Sequence, residues 1–355
     1  MLLVLLRWLN VGLVLITFLA FWASVIPPAH SWPLIFTGLA FPFLLVGHLF
    51  FLTFWLLRKQ WYLLLLSAGT LVIGFPHIQR LIGLTPERTA PASGTTLTVM
   101  TYNIYRTYQH RSYPEQISAG AFAREIATFA PDILCLQEFP APGKVQKKLA
   151  KALAQEAGLR YRASEASKSM AILSRYPLID SGHQYFTHNS NGFQWARIDL
   201  SGREIMIYNM HLKSNQITGL AEKVTEPGSL KGRETWTNLR SMLAGYRNTA
   251  LERVQQAHKM REHIAQPTVP YLICGDLNDV PQSHTYRILS RGMTDTFQSA
   301  GWGLSFTYAG GLPALRIDYI LANPQWRALS CRRGPVTFSD HRPVVSKLWL
   351  SPKSE

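Results

Sequence analysis

Residues 269–278, VPYLICGDLN, decide how this chain is read. An almost unbroken apolar run stops at Gly275-Asp276-Leu277-Asn278. A run of this length bounded by turn formers is predicted to be a strand buried on both faces. Its carboxylate and amide then stand at the open end of a rigid element, where sheet-based enzymes place reactive groups. The same design recurs on either side. LTVMTYNIY (97–105) carries Asn103 near its end, and DILCLQEF (132–139) carries Glu138. EIMIYNMHL (204–212) ends with Asn209 and His211, RIDYILA (316–322) holds Asp318, and SDHRPV (339–344) holds the pair Asp340–His341. MAILSRY, QWARIDL and PVVSKLWL add further predicted strands. Helical patterns lie between them at 114–130, stopped by Pro131, at 143–157 and at 237–265. Strands interleaved with helices predict an α/β domain whose sheets are covered by helices.

The polar residues at these strand ends are carboxylates, amides and histidines, with no candidate Ser or Cys nucleophile among them. Carboxylate oxygens suit a hard cation such as Mg²⁺ or Mn²⁺. Histidine beside carboxylate suits proton transfer. Such a set is adapted to attack by activated water on a phosphoester. Each position alone has a plainer reading. Asn103 is compatible with a turn cap, Glu138 with a surface charge, His211 with a satisfied core imidazole, and Asp276 with Asn278 as turn formers. Asp318 is compatible with a salt bridge to Arg316, and Asp340–His341 with a cap before Pro343. Their joint recurrence carries the enzymatic reading.

The motifs TYNIY, DILCLQE, NMHLKS, GDLND, RIDYIL and SDHRPV, in this order across residues 97–350, resemble the endonuclease/exonuclease/phosphatase superfamily. The resemblance, in particular to membrane-anchored bacterial members, implies a four-layer α/β sandwich of two packed sheets flanked by helices. It implies Glu138 as principal metal ligand, with Asn103 and Asp340 at the metal. It implies that Asp276 orients or activates water and that Asn278 binds a phosphate oxygen. His341, oriented by Asp318, would contact the scissile phosphate, and His211 would protonate the leaving oxygen. Arg197 and Lys213, with Lys168, are candidate substrate-binding cations. Tyr102 and Tyr105, flanking Asn103, are expected to pack.

Before Leu97 the composition changes. Of 36 basic and 21 acidic residues, five and one respectively precede Leu97, which leaves a net +11 on the remainder. A basic domain attracts polyanions such as nucleic acid, anionic lipid headgroups or phosphorylated small molecules. Cys135, Cys274 and Cys331 lack metal-ligand spacing and are read as small hydrophobes. Three apolar stretches, 9–26, 33–57 and 61–84, each approach the ~20 residues that cross a ~30 Å hydrocarbon core. A cleaved signal peptide accounts for the first stretch only. The expectation is therefore a multi-pass block at 1–84 with about three transmembrane helices, a linker at 85–96, and a catalytic domain at 97–355. Arg7, Arg58 and Lys59 favour a cytoplasmic N-terminus and an extracytoplasmic catalytic domain in a bacterial inner membrane, whereas Arg80 and Arg88 pull the other way.

Three functions fit. One is a membrane-anchored, metal-dependent phosphodiesterase acting on lipid headgroups or small phosphoesters. The second is a tethered nuclease acting on DNA or RNA. The third is a non-catalytic scaffold that retains the fold. The polar segment 213–240, following His211, is a candidate specificity loop.

Overall fold

The structure, a computed structural model, describes residues 1–104, 118–163, 169–187, 191–214, 233–265, 268–310, 314–336 and 338–352. Five helices come first: α1 (Leu2–Ala23), α2 (Leu34–Leu39), α3 (Phe41–Leu57), α4 (Trp61–Ile73) and α5 (Phe75–Ile78). Of these, only α1 is long and apolar enough to cross a membrane; α3 and α4 are shorter apolar helices. The expected three spans are thus not confirmed. Pro42, beside the start of α3, separates it from α2. Gly74 and Pro76 end α4 and open α5, because proline cannot continue the hydrogen-bond ladder of a preceding helix.

The helical block buries hydrogen-bonded polar residues among its apolar core and is apolar outside. Asn10 Nδ2 donates to Ser67 Oγ (2.7 Å), Trp55 Nε1 donates to Asn10 Oδ1 (3.2 Å), and Thr17 Oγ1 meets His48 Nε2 (3.0 Å). All five residues are buried, while Trp8, Leu15, Val46, Leu49, Leu65 and Val72 face outward.

Strand β1 (Ile82–Leu84) leads into the sandwich. The first large sheet is built from β2 (Thr95–Asn103), β3 (Ile133–Gln137), β4 (Tyr161–Arg162), β5 (Met170–Ser174), β13 (Trp326–Arg333) and β14 (Val344–Leu350), in the order β13-β14-β2-β3-β5-β4. The second contains β6 (Leu178–Thr187), β7 (Asn191–Asp199), β8 (Glu204–His211), β9 (Tyr271–Asp276), β10 (Thr294–Asp295) and β12 (Asp318–Ala322), in the order β10-β12-β9-β8-β7-β6. Each sheet holds one parallel pair, β2 with β3 and β8 with β9, in otherwise antiparallel surroundings. The short β1 pairs with β11 (Trp302–Leu304).

Alternation sorts the side chains into layers. Between the sheets lie Val99, Ile133, Cys135, Ile172, Ile207, Cys274 and Ile320. The outer face of the first sheet is covered by α6 (Ala119–Thr128) and α7 (Lys144–Glu156) through Phe122, Ile126, Leu149 and Leu153. The outer face of the second is covered by α8 (Arg233–Ile264) and α9 (His284–Ser290) through Ala257, Met260, Ile264 and Leu289. A short α10 (Thr296–Ala300) completes the chain's helices among the described residues. Two mixed sheets with flanking helices make the α/β sandwich that the family resemblance implies. The three cysteines are buried and free.

The helical block packs directly on this sandwich. Arg80 O accepts from Ser305 Oγ and Arg316 Nη1, and Gln298 Nε2 donates to Pro76 O. Residues 85–96 follow the sandwich surface, where Thr85 N donates to Gly301 O and Arg88 Nη2 to Ser299 O.

Candidate functional site

The parallel pairs set the site. Because β2 runs beside β3, Asn103 lies opposite Gln137 and next to Glu138; because β8 runs beside β9, His211 lies opposite Asp276. Glu138 adopts φ 52° and Asn278 φ 50°, the left-handed region that non-glycine residues seldom occupy. Such backbone strain gathers at functional sites, where it aims a side chain. Gly275 also has a positive φ of 135°, and a Cβ there would collide with the Met210 carbonyl oxygen. The tight approach of β9 to β8 that seats Asp276 beside His211 therefore requires glycine.

Asn103 Nδ2 donates to Glu138 Oε1 (3.3 Å) and Asp276 Oδ2 (3.0 Å), which joins the two sheets across the cleft. Asp276 also accepts from Asn278, through its backbone N–H (2.8 Å) and its Nδ2 (3.2 Å). His211 Nε2 lies 3.9 Å from both Glu138 Oε1 and Asp276 Oδ2. Both His211 ring nitrogens are buried and lack a hydrogen-bond partner among the described residues. On the other side, His341 Nδ1 meets Asp318 Oδ2 at 3.0 Å, and His341 Nε2 lies 3.9 Å from Asp276 Oδ2. Asp276 is thus flanked by two imidazoles.

Asp340 is half-buried beside this cluster. Burial and the Glu138 charge push its carboxyl up against the pull of His341, and its Oδ1 lies 3.3 Å from Ser339 Oγ. Burial and Asp318 push Asp276 up to about 6, against the pull of His341, His211 and Asn103. Burial disfavours the His341 imidazolium, but Asp318, Asp276 and Asp340 together outweigh it and raise His341 to about 10. At neutral pH His341 is a cation enclosed by acids.

Asp276, Asp318 and His341 present ligand atoms within 4.8 Å of one another. In that trio Asp318 is engaged by His341 Nδ1, an orienting role typical of a carboxylate behind an imidazole. The acid-and-amide end, with Glu138, Asn103 and Asp340, suits a hard cation better, being built from oxygen donors.

Of the residues singled out from sequence, Asn103, Glu138, His211, Asp276, Asn278, Asp318, Asp340 and His341 come together in this cleft. Arg197 does not reach it. It pairs with Met206 on β8, five residues from His211, and its guanidinium lies 3.7 Å from Glu204. Strand rise alone puts that position about 17 Å along the sheet. Lys213 is at the surface two residues after His211, with Nζ 3.9 Å from Glu252 of α8. Lys168, Tyr105 and residues 215–232 lie outside the described residues. Tyr102 packs in the outer core beside Phe122.

The structure also shows what the neighbouring polar residues do. Asn209 is a clamp rather than a site residue. Its Nδ2 donates to Leu136 O (2.8 Å) and Ala171 O (3.1 Å), and its Oδ1 accepts from Gln137 Nε2 (2.6 Å), tying the sheets beneath the cleft. Thr307 Oγ1 accepts from the Ile317 and Asp318 backbones and so sets the start of β12. Ser339 Oγ donates to Asn103 O (2.8 Å) and accepts from His341 N (3.1 Å), locking the two ends of the cleft. Arg253 of α8 forms a buried ion pair with Asp279 (3.1 Å), which accounts for the second Asp of GDLND. Asn209, Ser339 and Asp279 stand inside readable motifs; Thr307 and Arg253 come from distant segments with no spacing signal.

Residues 100–341 match the profile described as "Endonuclease/Exonuclease/phosphatase family". Residues 3–81 match one described as "Domain of unknown function (DUF8431)". No curated protein matches the chain. Among solved structures, the endonuclease/exonuclease/phosphatase from Beutenbergia cavernae is 20% identical with a TM-score of 0.50 and covers 72% of each chain. The endonuclease/exonuclease/phosphatase from Bacteroides vulgatus is 19% identical with a TM-score of 0.51, covering 72% of this chain and all of that one (100%). A humanized D. rerio TDP2 is 16% identical with a TM-score of 0.51, covering 71% and 98%. At such identities these structures share the fold. The family match, spanning most of the chain and every motif from the end of β2 to His341, shows that the chain belongs to the endonuclease/exonuclease/phosphatase family.

Proposed function

We propose that this protein is a membrane-anchored, divalent-metal-dependent phosphodiesterase that hydrolyses lipid-headgroup or other small phosphoesters with activated water. The observation that carries the reading is the convergence of Glu138, Asn103, Asp276, Asn278 and His211 with the Asp318–His341 pair on one cleft between two sheets. The donor set fits a hard cation. Asp276 and Asp318 meet histidines rather than lysine or arginine, and Asn103 bridges two carboxylates.

Glu138 would hold Mg²⁺ or Mn²⁺, with Asn103 and Asp340 beside it. A divalent cation there supplies charge neutralisation on phosphoryl oxygens. Asp276, kept in place by Asn103 and Asn278, orients the attacking water, and Asn278 binds a phosphate oxygen. His341, held by Asp318, faces the scissile phosphate as the charged partner. His211, whose Nε2 lies 3.9 Å from Asp276 on the other side, would deliver a proton to the leaving oxygen. Proton-transfer groups of this kind contribute ~10²–10⁴ in rate.

Membrane anchoring is supported by the apolar exterior of the helical block. Trp8 and Leu65 are 70% and 65% exposed, whereas Asn10, Ser67 and His48 face inward. Apolar outside and hydrogen-bonded inside is the arrangement expected in lipid. Arg7 Nη2 donates to Gln60 Oε1 (3.4 Å), so the α3–α4 turn lies level with the start of α1. Arg7, Arg58 and Lys59 then gather at the end remote from the sandwich. Positive residues favour the cytoplasmic face, which supports a catalytic domain outside the cytoplasm. A reporter that works only in the cytoplasm, fused after Glu355, should be silent; signal there overturns this orientation.

The net basic charge favours nucleic acid as the second reading. The full chain in detergent with Mg²⁺ should be offered bis-p-nitrophenyl phosphate, a sphingomyelin-type lipid, a phosphoinositide and plasmid DNA. Cleavage of lipid without DNA supports the proposal, and DNA alone supports the nuclease. Inactivity on all four, with His341→Ala indistinguishable from the wild type, supports a scaffold.

A further inference from the structure

A second polar pocket lies where the helical block meets the sandwich. It encloses about 440 Å³ and is lined by Ser24, Arg80, Tyr286, Arg287, Ser290 and Arg291. That size lies within the ~300–1,000 Å³ common for ligand sites. Three of its six residues carry guanidinium groups and none carries a carboxylate. The acid behind it, Asp295, is already engaged. Arg316 holds it at 2.6 and 2.8 Å, and the Tyr286 hydroxyl donates to it at 2.8 Å.

The arginines are differently placed. Arg80 is anchored: its Nη1 donates to Pro281 O (3.1 Å), and its guanidinium lies 5.1 Å over the Tyr286 ring. Its buried Nε has no hydrogen-bond partner among the described residues. Arg287 on α9 and Arg291, the residue that follows its last turn, are exposed and both line the pocket. Neither forms an ion pair with an acid among the described residues. Three like charges around one pocket repel one another until an anion enters. Guanidinium forks match the geometry of phosphate oxygens, and Ser290 adds a hydroxyl donor.

The position narrows the ligand. Ser24 caps α1 at its C-terminal end, and Arg80 lies just beyond α5, so both belong to the end of the apolar block that abuts the sandwich. Exposed Trp22 and Val25 flank that level. An exposed tryptophan followed by clustered arginines matches the depth of phospholipid headgroups. From these observations the structure assigns to this pocket the binding of a phosphate-bearing anion, drawn in the membrane from an anionic phospholipid headgroup. No residue of the catalytic cleft lines it. Arg287 and Arg291 belong to the sandwich while Ser24 and Arg80 belong to the helices, so an occupant clasps the two together.

Thermal unfolding of the full chain in nonionic detergent, with EDTA present, tests this. Phosphatidylglycerol, phosphatidylcholine and inorganic phosphate are added separately. Phosphatidylglycerol should raise Tm by about 2–6 °C, and phosphatidylcholine should not. The double variant Arg287→Gln/Arg291→Gln should lose at least half of that rise. Arg327→Gln/Arg332→Gln, which removes the same charge from exposed positions on β13, should keep it. An equal rise with millimolar inorganic phosphate, lost in the same double variant, supports the phosphate site and moves its source to solution. A full rise in the Arg287/Arg291 variant, or no rise with any anion, overturns the assignment.

Discussion

Asp318→Asn isolates the pair that readies His341. Asp318 is fully buried, and its Oδ2 lies 3.0 Å from His341 Nδ1. Asparagine has the same shape, but it is uncharged and can turn a donor toward the ring, which favours the wrong tautomer. Raising the imidazole from 6.5 to about 10 corresponds to roughly 5 kcal/mol in favour of the imidazolium, shared among Asp318, Asp276 and Asp340. A hydrogen bond to a charged group contributes about 1.5–3 kcal/mol of that kind. The metal-free variant should therefore melt about 2–4 °C lower at pH 7. Because the folded value is raised, the contribution is complete below pH 6.5 and is lost as pH rises through about 10. The gap in Tm should narrow above pH 10. With Mg²⁺ present, kcat on bis-p-nitrophenyl phosphate should fall ~10²–10⁴ while KM changes little. Measured together, a kcat within threefold of wild type, or a Tm gap that persists at pH 10.5, would refute the orienting role of Asp318.

Glu138→Gln should abolish the Tm rise that Mn²⁺ gives the wild type, about 2.7 kcal/mol of stabilisation at 100 times Kd, and a retained rise would move the cation elsewhere. Asp295→Asn should destabilise by about 3–5 kcal/mol at pH 7, because Arg316 would be left buried and uncompensated. The Asp295 carboxyl opposes its burial cost with Arg316 and ends below its ordinary value, so its contribution holds above pH 3.8 and fades as pH falls further; denaturation at pH 7 and pH 3 should show the two proteins converging. Asn209→Leu should cost about 1–3 kcal/mol without changing metal affinity, since it unpairs carbonyls of Leu136 and Ala171 behind the cleft; calorimetry with Mn²⁺ separates the two effects. Gly83→Ala should lower Tm, because the new Cβ would strike the Gly301 backbone where β1 pairs with β11; an unchanged Tm would mean that this strap adds nothing.

Reading strands from apolar runs worked where burial is two-sided. LTVMTYN, ILCLQ, EIMIYNMH and YLICGD are strands within a residue or two of expectation. The edge strand β6 and the bulged β13 escaped notice, as their half-polar patterns resemble surface loop. The long helix predicted at 237–265 occurs as α8, Arg233–Ile264. The three expected spans are not confirmed for a local reason. Hydropathy averages over Pro42, Gly74 and Pro76, but a helix cannot, so three apolar stretches became one long helix and several shorter ones.

What the sequence determined by itself was the chemistry on offer: acids, amides and imidazoles at the ends of stiff strands, in a fixed order, behind an apolar leader. These are local properties, dictated by side-chain period and by composition. Which of those groups meet was decided only by tertiary structure. Parallel pairing of β2 with β3 and of β8 with β9 brings Asn103 to Glu138 and His211 to Asp276, while the five-residue offset along β7 carries Arg197 away. The environment of His341 likewise depends on Asp276 and Asp318, distant in the chain and within 3.9 Å in space. Proximity of that kind arises from strand register across two sheets, and no window along the sequence contains it.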